Sequence, residues 1–164
     1  MKEIKLGKSG LVALVDDEDY ERVNKLKWRI YGSRKNNTRY ASTSIKTENG
    51  TYKSVSMHRF ILGITDKKIQ VDHRFHNGLD NRKSKIRICN NDQNNYNKIV
   101  KEKLLTKYKG VTWLSDTNYK AVLTFNKKKY YLGGFKTEVA AAQAYDKKAL
   151  ELFGEFACLN FPIQ

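Results

Sequence analysis

Residues 71–97 read VDHRFHNGLDNRKSKIRICNNDQNNYN, and no other stretch limits the fold as strongly. Asp72 and His73 stand side by side at its start. The turn-rich segment His76-Asn77-Gly78-Leu79-Asp80-Asn81 follows, built from residue types that tolerate tight turns. Lys85-Ile86-Arg87-Ile88-Cys89 then alternates with the period of a strand. The Asn/Asp cluster over 90–97 supplies residues that start helices. The order is strand, loop, strand, helix, a small ββα unit carrying a carboxylate, an imidazole and several amides.

Upstream of this unit the pattern is α+β. Residues 10–15 predict a strand. Asp16-Asp17-Glu18-Asp19 offers an N-cap and an acidic first turn for a helix to about Leu26, with Tyr20, Val23 and Leu26 at helical spacing. Residues 28–31 predict a strand, and 40–45 and 52–55 predict two more around Asn49-Gly50, a hairpin signal. Residues 56–63 predict a short helix closed by Gly63. His58 lies in it; with no second ligand at matching spacing, packing or a phosphate contact is favoured over metal ligation.

Downstream, residues 98–107 (KIVKEKLLTK) have helical character and join two modules. Charge composition changes there: all eight arginines fall at or before Arg87. The expected division is 1–104 and 105–164. The second part predicts three strands and a helix, over 108–113, 118–125, 130–135 and 138–153. Tyr119, Ala121, Leu123 and Phe125 share one strand face, and Lys120, Val122 and Thr124 the other. Thr137 is the expected N-cap and Gly154 the C-terminal stop. Alanines 140, 141, 142, 144 and 149 let the helix lie close to the sheet.

A net charge of +15 and a pI near 9.8 point to nucleic acid, because lysines and arginines near phosphates release counterions. No basic amphipathic helix with a broad apolar face suggests a membrane. Cys89 and Cys158 lie in apolar runs, which indicates buried thiols in a reducing compartment. No CxxC pair supports a zinc ribbon. The first ten residues lack an apolar signal core and no run reaches transmembrane length, so an intracellular, cytoplasmic protein is expected.

The 71–97 unit resembles the HNH endonucleases, in particular the phage and intron-borne homing type. The resemblance implies a ββα-metal (His-Me finger) module in a phage-encoded or bacterial-host protein. It implies His73 as general base, and Asp72 with Asn94, at the helix start, as ligands of one divalent cation, Mg²⁺ or Mn²⁺. That family carries an orienting asparagine on the second strand, where this chain has Lys85. An ammonium has no acceptor for an imidazole N–H. Either Lys85 inactivates the site or a neighbour such as Asn81 takes the role. Arg74, Arg82 and Arg87 fit as phosphate clamps. Residues 106–162, with YKGV, YYLGGFKTEVAAAQAYDKKALELFG and LNFP, resemble the apetala-2/ethylene-response-factor DNA-binding domain. That implies a three-stranded antiparallel sheet in the major groove of double-stranded DNA. Lys109, Thr112, Trp113, Lys120, Val122 and Thr124 occupy the corresponding strand positions. Without arginines there, bidentate Arg–guanine readout is excluded, leaving lysine–phosphate and aromatic or methyl contacts. The expected function is metal-dependent cleavage of duplex DNA, with a non-catalytic DNA-binding protein as the alternative.

Overall fold

The computed structural model describes residues 1–32, 38–99, 106–116 and 118–162. It divides into two units, Met1–Asn90 and Asn91–Gln164. Each mixes helices with small antiparallel sheets, an α+β architecture. The division expected between residues 104 and 105 lies outside the described residues.

In the first unit, β1 (Lys2–Lys5) pairs with β2 (Val12–Val15), setting Ile4 opposite Ala13. β1 went unread in the sequence because KEIK carries a single apolar residue, too little for a period. α1 (Asp17–Asn24) follows Asp16, which stands at the N-cap position. Its carboxylate accepts from the Lys83 backbone N–H at 2.7 Å instead of capping its own helix. Strands β3 (Arg29–Tyr31), β4 (Tyr40–Lys46) and β5 (Tyr52–Ser56) form a three-stranded sheet with β4 central. Gly50 turns the β4–β5 hairpin with a φ of +81°. α2 (Met57–Ile61) leaves β5 directly, and β6 (Gln70–His73) pairs with β7 (Ile86–Cys89).

One apolar cluster ties these pieces together. It contains Ile4, Leu6, Ala13, Val15, Val23, Trp28, Ala41, Met57, Ile61 and Ile86. Full burial of each larger aliphatic side chain contributes about 1.5–3 kcal/mol. Trp28 Nε1 satisfies itself on the Val23 carbonyl at 2.8 Å. Through Ala41, Met57 and Ile86 the cluster fixes β4, α2 and β7, and these elements surround His73.

The second unit begins with α3 (Asn91–Tyr96). Strands β8 (Val111–Ser115), β9 (Asn118–Phe125) and β10 (Lys128–Phe135) make a sheet with β9 central, backed by α4 (Glu138–Phe153). Asn126 and Lys127 both adopt positive φ, the geometry of a two-residue hairpin turn. Thr137 Oγ1 accepts from Ala140 N at 3.2 Å, and the chain turns away from α4 at Gly154. Ala141, Ala142 and Ala149 are buried, and with Ala121 they allow close helix–sheet packing. Gly110 has a φ of +75°, and a Cβ there would lie 1.9 Å from the Tyr145 ring. That left-handed residue starts β8 later than its apolar pattern predicts. Tyr96 of α3 stacks on Phe153 with centroids 4.0 Å apart and planes 6° from parallel. Most of the helical segment expected over 98–107 falls outside the described residues.

Candidate active site around His73

Antiparallel register sets the first pair of functional side chains. Asp72 lies opposite Arg87 and His73 opposite Ile86. Arg87 donates through Nε and a terminal nitrogen to Asp72 Oδ2, at 3.0 and 2.8 Å. Both side chains are buried, at 7% and 8% residual exposure. The carboxylate expected to face a cation is therefore ion-paired within the hairpin, and the guanidinium expected to clamp phosphate neutralises it.

The connection from Arg74 to Lys85 is pinned at several points. Its ends close with Arg74 N donating to the Lys85 carbonyl at 2.9 Å. His76 takes a φ of +62°, and Asn77 Oδ1 accepts from Leu79 N at 3.1 Å, an Asx turn. The segment then runs beside β2: Leu14 N donates to Leu79 O and Asn81 N to Leu14 O, both at 2.8 Å. Arg82 holds Asp80 through two oxygens, at 2.8 and 2.6 Å, and keeps its carboxyl below the usual range. Lys83 reaches Glu18 and Asp19 at the start of α1. Pinned on both sides, Asn81 is completely buried.

His73 retains 6% exposure, and burial lowers its pKa below the ordinary imidazole value. The Asn81 side chain, as a hydrogen-bonding neighbour, and the Asp72 and Asp80 carboxylates push it back up. The amide contact is loosely aligned, since neither polar atom of the Asn81 side chain makes a well-formed hydrogen bond. Two further rings close on His73. His58 of α2 meets it at 5.1 Å with an interplanar angle of 88°, and Tyr40 of β4 at 5.6 Å and 44°. Burial, with His73 and Arg59 nearby, lowers the His58 pKa to about 3. The result is a mostly neutral imidazole near neutral pH, the form that accepts a proton.

The remaining predicted residues fall elsewhere. Lys85 places its ammonium over the Phe75 ring, 4.7 Å from the centroid. Arg74 contributes the backbone bond that closes the loop. Asn94 lies on α3, in the second unit. Among the described residues no group of three or more His, Cys, Asp and Glu side chains is arranged to hold a metal ion.

The second unit separates the residues expected to read DNA. Lys109 is committed inward: its ammonium donates to the carbonyls of Tyr96, the last residue of α3, and of Lys98 just after it, and burial lowers its pKa. Thr112 lies opposite Lys120, and Val122 opposite Tyr131, so these four share the face away from α4 with Thr124. Trp113 lies opposite Tyr119, on the α4 side, with 40% of its surface exposed. Tyr131, 65% exposed with Lys120 Nζ 4.5 Å from its ring centre, was missed in the sequence. Its alternation with buried-face residues in YYLGGF is the signal that marks it. Tyr40 and His58 were also missed as neighbours of His73, and their spacing carries no such signal.

A protein named Uncharacterized HNH endonuclease, from Acanthamoeba polyphaga mimivirus, is 39% identical to this chain over 111 residues. The chain is similar to an HNH endonuclease. The match covers 65% of this chain and 57% of that relative's length. No family model matches the chain, and no solved structure does. Among the described residues no helix is long and apolar enough to cross a membrane.

Proposed function

We propose that the chain is an HNH-type endonuclease of the homing kind that hydrolyses a phosphodiester bond in double-stranded DNA. The supporting observation is His73, kept neutral by burial on a β-hairpin between Asp72 and the buried Asn81. The HNH relative from mimivirus supports the same reading. In the reaction, His73 accepts a proton from the water that attacks phosphorus, and Asn81 restrains its ring. A Mg²⁺ or Mn²⁺ ion with Asp72 among its ligands is what the family resemblance adds; to engage Asp72 it has to compete with Arg87. The net charge of +15 supports a DNA partner. The sheet face with exposed Thr112, Thr124 and Tyr131 and half-buried Lys120 and Val122 is proposed as a contact surface of the apetala-2-like kind.

The test is relaxation or linearisation of supercoiled plasmid with Mg²⁺ or Mn²⁺ against EDTA. His73→Ala is expected to lower the rate by about 10²–10⁴-fold with duplex binding retained. Asn81→Ala is expected to lower it and Lys85→Asn to leave it within about twofold, since Lys85 lies over Phe75. A chain that binds duplex but never cuts it sinks this reading. The second reading, a DNA-binding protein on a nuclease scaffold without activity, then stands; the Asp72–Arg87 ion pair is the observation that favours it.

A further inference from the structure

We propose that Tyr40 and His58 are positioning residues for His73, forming with Asn81 a cage that fixes the plane of its imidazole. This rests on the reading of His73 as the general base. The second side-chain torsion of histidine is broad, so ring orientation is decided by neighbours. Beside the Asn81 amide, the rings of His58 and Tyr40 both face the His73 imidazole. The His58–His73 pair is perpendicular, the arrangement in which the edge of one ring meets the face of the other. His58 Nδ1 is buried and makes no hydrogen bond among the described residues, so packing carries the contact. Tyr40 meets the His73 ring at 5.6 Å and lies against His58 as well, with ring centroids 6.1 Å apart.

Each wall is held by its own part of the chain. His58 follows Met57, which is fully buried, in α2. Tyr40 is braced by Gly78: a Cβ there would lie 2.6 Å from the Tyr40 ring and 2.3 Å from the Arg39 carbonyl. Gly78 belongs to the same loop that carries Asn81. The loop thus brings the amide to His73 and presses Tyr40 into place together.

The experiment compares His58→Ala, His58→Phe, Tyr40→Ala and Tyr40→Phe in duplex cleavage. The alanine variants are expected to lose at least about tenfold in kcat, with KM and duplex affinity within about twofold of the parent. The phenylalanine variants restore a planar edge and are expected to recover most of kcat. Phenylalanine variants no better than alanine, or losses confined to KM, overturn the cage. Nitrogen NMR of the His73 ring gives a readout independent of cleavage. A single narrow set of ring signals is expected in the parent and phenylalanine variants, and broadened or mixed-tautomer signals in the alanine variants. If an alanine variant fails to fold, the same comparison is made with His58→Leu, which keeps bulk without the planar edge. If the parent cuts no DNA, the nuclease reading falls, and unchanged His73 signals in the alanine or leucine variants overturn the cage by themselves.

Discussion

The two units differ in where their candidate functional side chains lie. The first turns its polar residues inward: Asp72, His73, Asn81 and Arg87 are all buried, and the rings of Tyr40 and His58 face His73. The second also sends the Lys109 ammonium and the Asp146 carboxylate inward, but it displays Tyr131, Lys120 and Thr124 on an open sheet face. A buried polar group is costly unless paired, whereas an exposed one is nearly neutral until a ligand arrives. Substitutions in the first unit are therefore expected to act on stability and chemistry together, and those on the second unit's open face on binding alone.

The largest test of this contrast is Arg87→Ala. It strands the buried Asp72 carboxylate and is expected to destabilise the first unit by about 3–5 kcal/mol. Urea unfolding in a Trp113→Phe background reports it through Trp28, the fluorophore buried in the first unit's core. A loss below about 1 kcal/mol means that the pair is exposed in solution and that the contrast fails at its centre.

Acid is the next lever. The folded His58 pKa of about 3 lies below the ordinary 6.5, so the unfolded chain takes up a proton that the folded chain refuses. The stability linked to this group is complete above about pH 6.5 and is lost as pH falls towards about 3. Between about pH 7 and about pH 5 the first unit is expected to lose about 2 kcal/mol from this group. His73 and Arg59, which face His58, act in the same direction. His58→Phe is expected to flatten that part of the pH dependence. It also removes the buried Nδ1 that lacks a partner among the described residues, and is expected to raise stability at neutral pH by about 1 kcal/mol. An unchanged pH slope in His58→Phe places the imidazole in water.

Two lysines of the second unit sharpen the comparison. Lys109→Ala removes the donor from the carbonyls of Tyr96 and Lys98. It is expected to cost about 1–3 kcal/mol, read by hydrogen exchange across α3, and to leave the salt dependence of duplex binding unchanged. Lys120→Ala is expected to do the reverse, lowering the slope of log affinity against log salt by about 1 with stability unaltered. Tyr131→Ala, on the same face, is expected to weaken duplex binding by about 1–3 kcal/mol. A salt slope that responds to Lys109 and ignores Lys120 would exchange their roles.

Much of the architecture was readable before any fold was known. Alternation in 118–125, the helical spacing and caps of 138–153 and the Asn-Gly hairpin are local signals, and local geometry fulfils them. The Asp72-His73 pair and the chain's charge are properties of composition and adjacency. The roles of individual side chains were not readable, because register and loop anchoring act over long sequence separations. Arg87 pairs with Asp72 because β6 and β7 meet in one register; a shift of one residue would turn it to the other face. Asn81 is buried because two backbone bonds to Leu14 hold its loop, a contact that no pattern within 74–85 encodes. Tyr40, His58 and His73 come from three separate elements and meet only when the core around Ala41, Met57 and Ile86 closes. The chain by itself determined which elements form and what chemistry they carry; tertiary packing decided which groups are paired, buried or exposed, because those states depend on neighbours that the sequence keeps far apart.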